Sequence, residues 1–149
     1  MPSVTRLASL AEARAELKKL DLQRVTVPGP WSVGQVLVHC AQSIEYSLTG
    51  FPRDKPWLFR ASVGRLALGK FLRQGYMKHD LQAGIPGAPA PDALEPDAAL
   101  ARLFRAIDGF QARDRLAPHF AYGPVDKASY DRVQAMHIAD HLSSFARRT

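Results

Sequence analysis

His137 and His141 stand four residues apart in Met136-His137-Ile138-Ala139-Asp140-His141-Leu142. On a helix, side chains at that spacing lie one above the other on the same face, so two imidazoles can grip one divalent ion. A third histidine, His39, closes the stretch Trp31-Ser32-Val33-Gly34-Gln35-Val36-Leu37-Val38-His39, which reads as part of a different helix. Three ring nitrogens from two helices leave room on an ion for water or substrate. A buried neutral imidazole loses its water contacts and needs a partner. One shared ion meets that need for every ring that gives it a lone pair. The plain alternative for the H-x-x-x-H pair is an ordinary hydrogen bond between two rings.

Four neighbours bear on this reading. Asp140, three residues after His137, flanks the same face and is expected to accept the second ring N–H of a ligand histidine. Its other expected role is a surface ion pair. Cys40 follows His39 and reads as a small core residue. His79 falls in a long loop and is expected to be exposed. His119 is also loop-borne, expected to pack a turn and able to approach the site from the end of the helices.

The elements that must carry these residues follow from period and punctuation. Ser9-Leu10-Ala11-Glu12 has capping-box spacing, and Leu10, Ala13, Leu17 and Leu20 repeat at helical period, giving a first helix. Pro28-Gly29-Pro30 forces an extended linker. Ser32 with Gln35 caps a second helix running to about Thr49, stopped by Gly50 and Pro52. Its buried side collects Val33, Val36, Leu37, Cys40, Ile44 and Ser47, with His39 at the edge. Trp57 to Leu72 reads as an extra helix with Leu58, Phe59, Val63, Leu66, Leu68 and Phe71 as apolar positions, interrupted by Gly64 and Gly69. Gln74 to Glu95 is a long irregular crossover, expected to fold over the site. Pro96 opens a third main helix with an apolar stripe of Leu100, Leu103, Phe104, Ile107 and Phe110. Asp126 caps a fourth, expected to reach Arg147, which buries Tyr130, Val133, His137, Ile138, His141, Leu142 and Phe145 and exposes Arg132, Ala135, Ala139 and Ser143. No strand is expected. The fold class is all-α: four main helices, with an extra helix on the crossover.

The chain's 149 residues fit one domain, 1–149, with a real core. Apolar residues at 46% and charged residues at 23% are ordinary for a soluble domain, and no apolar run is long enough for a membrane span. Met1 to Lys19 has no apolar signal core, and one cysteine allows no internal disulfide; both point to the cytoplasm. The net charge of +6 raises the prospect of an anionic partner. Residues 53–78 hold Arg53, Lys55, Arg60, Arg65, Lys70, Arg73 and Lys78 against Asp54, either a solvated surface or a patch for an anionic cosubstrate. The sequence carries no Gly-rich phosphate loop, nucleophile elbow, H-E-x-x-H or Cys pair, and no aromatic-basic repeat of a nucleic-acid reader.

Trp31-Ser32 followed by Leu37-x-His39, the long crossover, and His137-x-x-x-His141-Leu142 resemble the DinB superfamily of four-helix metal-binding proteins. The tail from His119-Phe120-Ala121-Tyr122-Gly123 through His137 to Phe145 is similar to a DinB-related family of uncharacterised bacterial domains. The resemblance implies an up-down-down-up bundle, a divalent ion (nickel or zinc) on His39, His137 and His141, and a homodimer. It also implies, for some members, thiol-dependent transfer or isomerisation with the ion activating the thiolate. Relatives often carry another histidine where Asp140 stands and leucine where Cys40 stands.

The leading expectation is therefore a metal-dependent S-transferase that uses a low-molecular-weight, anionic thiol. Hydrolysis by metal-bound water is a second enzymatic reading, against which no general base is evident beside the ligands. The non-enzymatic reading is a metal-stabilised bundle that binds a small ligand or a protein partner. No nucleic-acid or membrane partner is expected.

Overall fold

The computed structural model describes residues 6–148. Residues 1–5, where the stretch expected to lack a signal core begins, lie outside the described residues, as does Thr149. The chain is mostly helical: α1 (Leu10–Lys18), α2 (Val33–Thr49), α3 (Trp57–Phe59), α4 (Arg65–Gln74), α5 (Pro96–Ala112) and α6 (Lys127–Ser143). A π-helical segment, Arg60–Gly64, joins α3 to α4. Among the described residues no helix is long and apolar enough to cross a membrane.

The caps form largely as their chemistry dictates. Ser32 Oγ accepts from Gln35 N at 3.1 Å, and Gln35 Oε1 accepts from Ser32 N at 3.0 Å, a complete capping box. At α1 only half of the box forms. Ser9 Oγ accepts from Glu12 N, while the Glu12 carboxylate accepts from Ala8 N instead of Ser9 N.

Among the described residues the buried apolar side chains form one main cluster, with Ile85 outside it. The most extensive helix pair is α2 with α5; α1 packs on α6 and α5, and α6 also meets α2 and α4. So α2 is enclosed nearly all round: every residue from Val36 to Ser43 is buried, as is Ile44. That is why His39, expected at an edge, is only 2% exposed. The same enclosure corrects the expected outer face of α6, because Ala135 and Ala139 are buried. Small side chains there let neighbouring elements close over the helix.

Two further expectations are corrected. A short antiparallel ladder exists, β1 (Val25–Thr26) with β2 (Ala146–Arg147), pairing Val25 with Arg147 and Thr26 with Ala146. Two residues per strand carry no readable alternation. The expected fourth helix, α6, consequently stops at Ser143 instead of Arg147. Ser143 Oγ donates to Asp140 O and Ser144 Oγ to His141 O, so side chains take carbonyls that a further turn would have used.

The extra helix is present, but its apolar pattern misleads. Trp57, Leu58, Val63 and Leu66 are exposed, while Gly64 and Leu68 face inward. Gly64 is a contact point, not a weakness: a Cβ there would lie 1.8 Å from Ala121 O. The helix thus sits directly on the loop that carries His119. Of the basic stretch 53–78, Arg65 donates to the carbonyls of Tyr122 and Pro124, which ties helix and loop together.

Residues 75–95 contain no helix or strand. They are pinned by buried Met77 and Ile85, by Gln35 Nε2 donating to Pro91 O, and by Gly34, whose missing Cβ leaves room for Leu94 O.

Candidate metal centre

His39 lies in the second turn of α2, held to that helix by the Ser32 cap and its all-round burial. Its ring packs against Trp31 at 5.0 Å between centroids. His137 and His141 lie on α6, whose start is fixed by Asp126 accepting from Ser129 N. The rings of His137 and His141 meet edge to face, with centroids 4.8 Å apart. Across the two helices, His39 Nε2 faces His137 Nε2 at 3.2 Å. One ligand-capable atom from each of His39, His137 and His141 lies within 4.8 Å of the other two. The structure therefore brings together all three of the residues that the sequence singled out, close enough to hold one ion.

The donor set suits a borderline transition metal. Imidazole nitrogen favours zinc, nickel, copper or iron over calcium and magnesium. A nitrogen–metal bond of about 2.0–2.1 Å puts neighbouring nitrogens of a tetrahedral shell about 3.3 Å apart. The His39–His137 separation matches that edge. The 4.8 Å limit for the set is wider, so at least one ring would turn inward by about an ångström on binding.

The rings are also ready to give lone pairs. Burial, then the neighbouring His79, push the His39 pKa down to about 4. Burial, then His39 and His79, push His141 down to about 2. Burial and the surrounding imidazoles hold His137 well below the usual histidine range. No proton must leave before a metal binds at neutral pH. The Nδ1 atoms of His39, His79 and His137 are buried and have no hydrogen-bond partner of good geometry, so these rings are not held by a complete hydrogen-bond network.

His79 was expected to be exposed; it is half-buried and packs beside the three-histidine set, without belonging to the group whose ligand atoms all lie within 4.8 Å of one another. Its Nε2 lies 3.3 Å from His141 Nε2, and its ring centroid is 4.8 Å from that of His137. Asp140 explains its position. The Asp140 carboxylate is buried, accepts from His79 N at 3.0 Å, and lies 2.7 Å from His79 Nδ1. So Asp140 does support a histidine, but one on the crossover and not on its own helix. Lys78, 75% exposed, adds a 3.8 Å ion contact that water largely screens. The missed signal was Asp140 itself: a carboxylate on a buried helix face must find a donor.

Cys40 is buried as expected, burial pushes its thiol up to about 12, and it is not part of the His39, His137 and His141 set. His119 packs a turn, stacked on Tyr122 at 4.2 Å and on Phe120 at 4.5 Å. Its Nδ1 accepts from Ala121 N, which fixes the proton of the neutral ring on Nε2. Burial lowers its pKa to about 3.

A cavity of about 300 Å³ opens beside the cluster, lined by His39, His79 and His137, with His119 on its wall. Phe71, Met77, Ile85, Phe120 and Val133 make it largely apolar, and Lys55 and Asp80 add one charge of each sign to its lining. Ser43 and Gln134, also on the wall, are engaged with each other through two 3.1 Å hydrogen bonds.

The whole of this architecture lies inside one family match, over residues 3–148. The chain belongs to the family described as Protein of unknown function (DUF1569). That family description assigns no activity and makes no link to the DinB superfamily. No curated protein and no solved structure matches the chain.

Proposed function

We propose that this DUF1569 member is a divalent-metal protein in which His39, His137 and His141 hold one zinc or nickel ion, on a DinB-like four-helix bundle. The observation that carries the reading is the 3.2 Å approach of Nε2 atoms from helices 98 residues apart in sequence. Three uncharged nitrogen donors at one wall of an apolar cavity are what an ion with an open position requires.

The activity this supports best is transfer of a low-molecular-weight thiol. A bound ion lowers the pKa of a thiol ligand, the chemistry such a transferase needs. The protein's own part is to exclude water with Phe71, Met77, Ile85 and Phe120, and to meet an anionic group of the thiol with Lys55. Cys40 takes no part. Hydrolysis is less well supported, since Asp140 is committed to His79, and Asp80 on the cavity wall accepts from Gln82 N. A bundle that binds a small ligand without turnover would use the same cavity.

Elemental analysis of the purified protein should find about one equivalent of a transition metal, and His39→Ala should lose it. Thermal shift should then show stabilisation by small thiols only in the metal-loaded protein. A metal-free chain that takes up neither zinc nor nickel when either is offered refutes the reading.

A further inference from the structure

We infer that His79 is a fourth ligand of the same ion, carried in by the 75–95 crossover, so that a substrate donor must displace this imidazole to reach the metal. The inference rests on the metal reading above.

The geometry separates His79 from an incidental neighbour. The two closest nitrogen pairs of the cluster are His39 with His137, at 3.2 Å, and His79 with His141, at 3.3 Å. Both match the tetrahedral edge of about 3.3 Å set by ordinary metal–nitrogen bonds. The His79 ring is as close to His137 and His141, at 4.8 and 4.9 Å between centroids, as His39 is, at 5.0 Å to each. Asp140 accepts from the His79 backbone N–H, and its carboxylate lies 2.7 Å from Nδ1, off the line of a formed hydrogen bond, so that a small turn of the ring would pair them and leave Nε2 as the donor atom. A carboxylate on the far nitrogen of an imidazole is the usual support of a metal ligand and raises its basicity.

The placement has a functional consequence. Four protein ligands close a site, whereas chemistry needs an open position. Three of the four sit on packed helices, but His79 sits on backbone with no helix or strand between Gly75 and Glu95. That backbone also lines the cavity through Met77, Ala83, Ile85 and Pro86. Displacing His79 would therefore free a coordination position and a cavity wall together.

Cobalt(II) titrated into the full chain reports coordination number through the intensity of its visible bands. The expected result is intense four-coordinate bands for the native chain, and weak five- or six-coordinate bands for His79→Ala with at least about tenfold lower affinity. Free imidazole added to His79→Ala should restore the intense bands. Asp140→Asn should keep the bands but lose affinity. Native protein should also resist proteolysis within 75–95 when cobalt is present, and His79→Ala should not. If His79→Ala keeps the native spectrum and affinity, His79 is only hydrogen-bonded to His141 and this inference falls while the three-histidine site stands. If the native chain binds no cobalt, the metal reading falls, and this inference with it.

Discussion

Metal-free protein should be unusually sensitive to mild acid. His39, His119 and His141 have folded pKa values of about 4, 3 and 2, against 6.5 for the free side chain. Each is lowered, so below pH 6.5 the unfolded chain binds protons that the folded chain refuses, and stability falls as pH falls. At a pH of about 5.5 all three stay neutral when folded, while each is about nine-tenths protonated when unfolded. Each then favours unfolding by about 1.4 kcal/mol, or about 4 kcal/mol together, relative to neutral pH. That is a large share of the roughly 5–15 kcal/mol that holds a typical domain. Urea unfolding in the presence of a chelator measures it directly. With a slope of about 1–3 kcal/mol/M, the midpoint should drop by at least about 1 M between pH 7.5 and 5.5. His119 stands apart on its turn, so His119→Phe should remove about 1.4 kcal/mol of this dependence and leave the rest. A midpoint that moves by less than about 0.3 M would mean that these rings titrate as free histidines, and the buried cluster would be refuted.

Gly64→Ala should destabilise the fold by about 1–3 kcal/mol, measured by the same unfolding curves, because its Cβ would lie 1.8 Å from Ala121 O and must push away the loop carrying His119. Cys40 should fail to react with a disulfide reagent such as Ellman's in the native chain and react fully in denaturant, since its thiol is buried and its pKa pushed up to about 12. Native reactivity would show that α2 is not enclosed.

The sequence announced the parts of this protein that local chemistry dictates. The Ser32–Gln35 box, Pro96 at the head of α5 and the H-x-x-x-H spacing each need only a few adjacent residues, and each is where it was expected. What stayed hidden depends on partners distant in sequence. His79 is a single ring in a stretch with no period, drawn in by an aspartate 61 residues away. The burial of Ala135 and Ala139 reflects how many elements surround α6, which no helical period records. Leu58, Val63 and Leu66 fit the pattern of a core-facing stripe, yet they are exposed. The π-helical turn through Arg60–Gly64 shifts the helix face, and only glycine lets α4 settle against the Ala121 carbonyl.

The four histidines are far apart along the chain, His39 and His137 separated by 98 positions and His79 and His141 by 62. Only the His137–His141 pair exists before the helices dock, since a single helical turn is enough to form it. Contacts between such distant segments form late in folding, after the entropy of closing long loops has been overcome. A cation would then find most of its ligands only past the folding barrier. Its binding energy would appear as slower unfolding, with little change in the rate at which the chain folds.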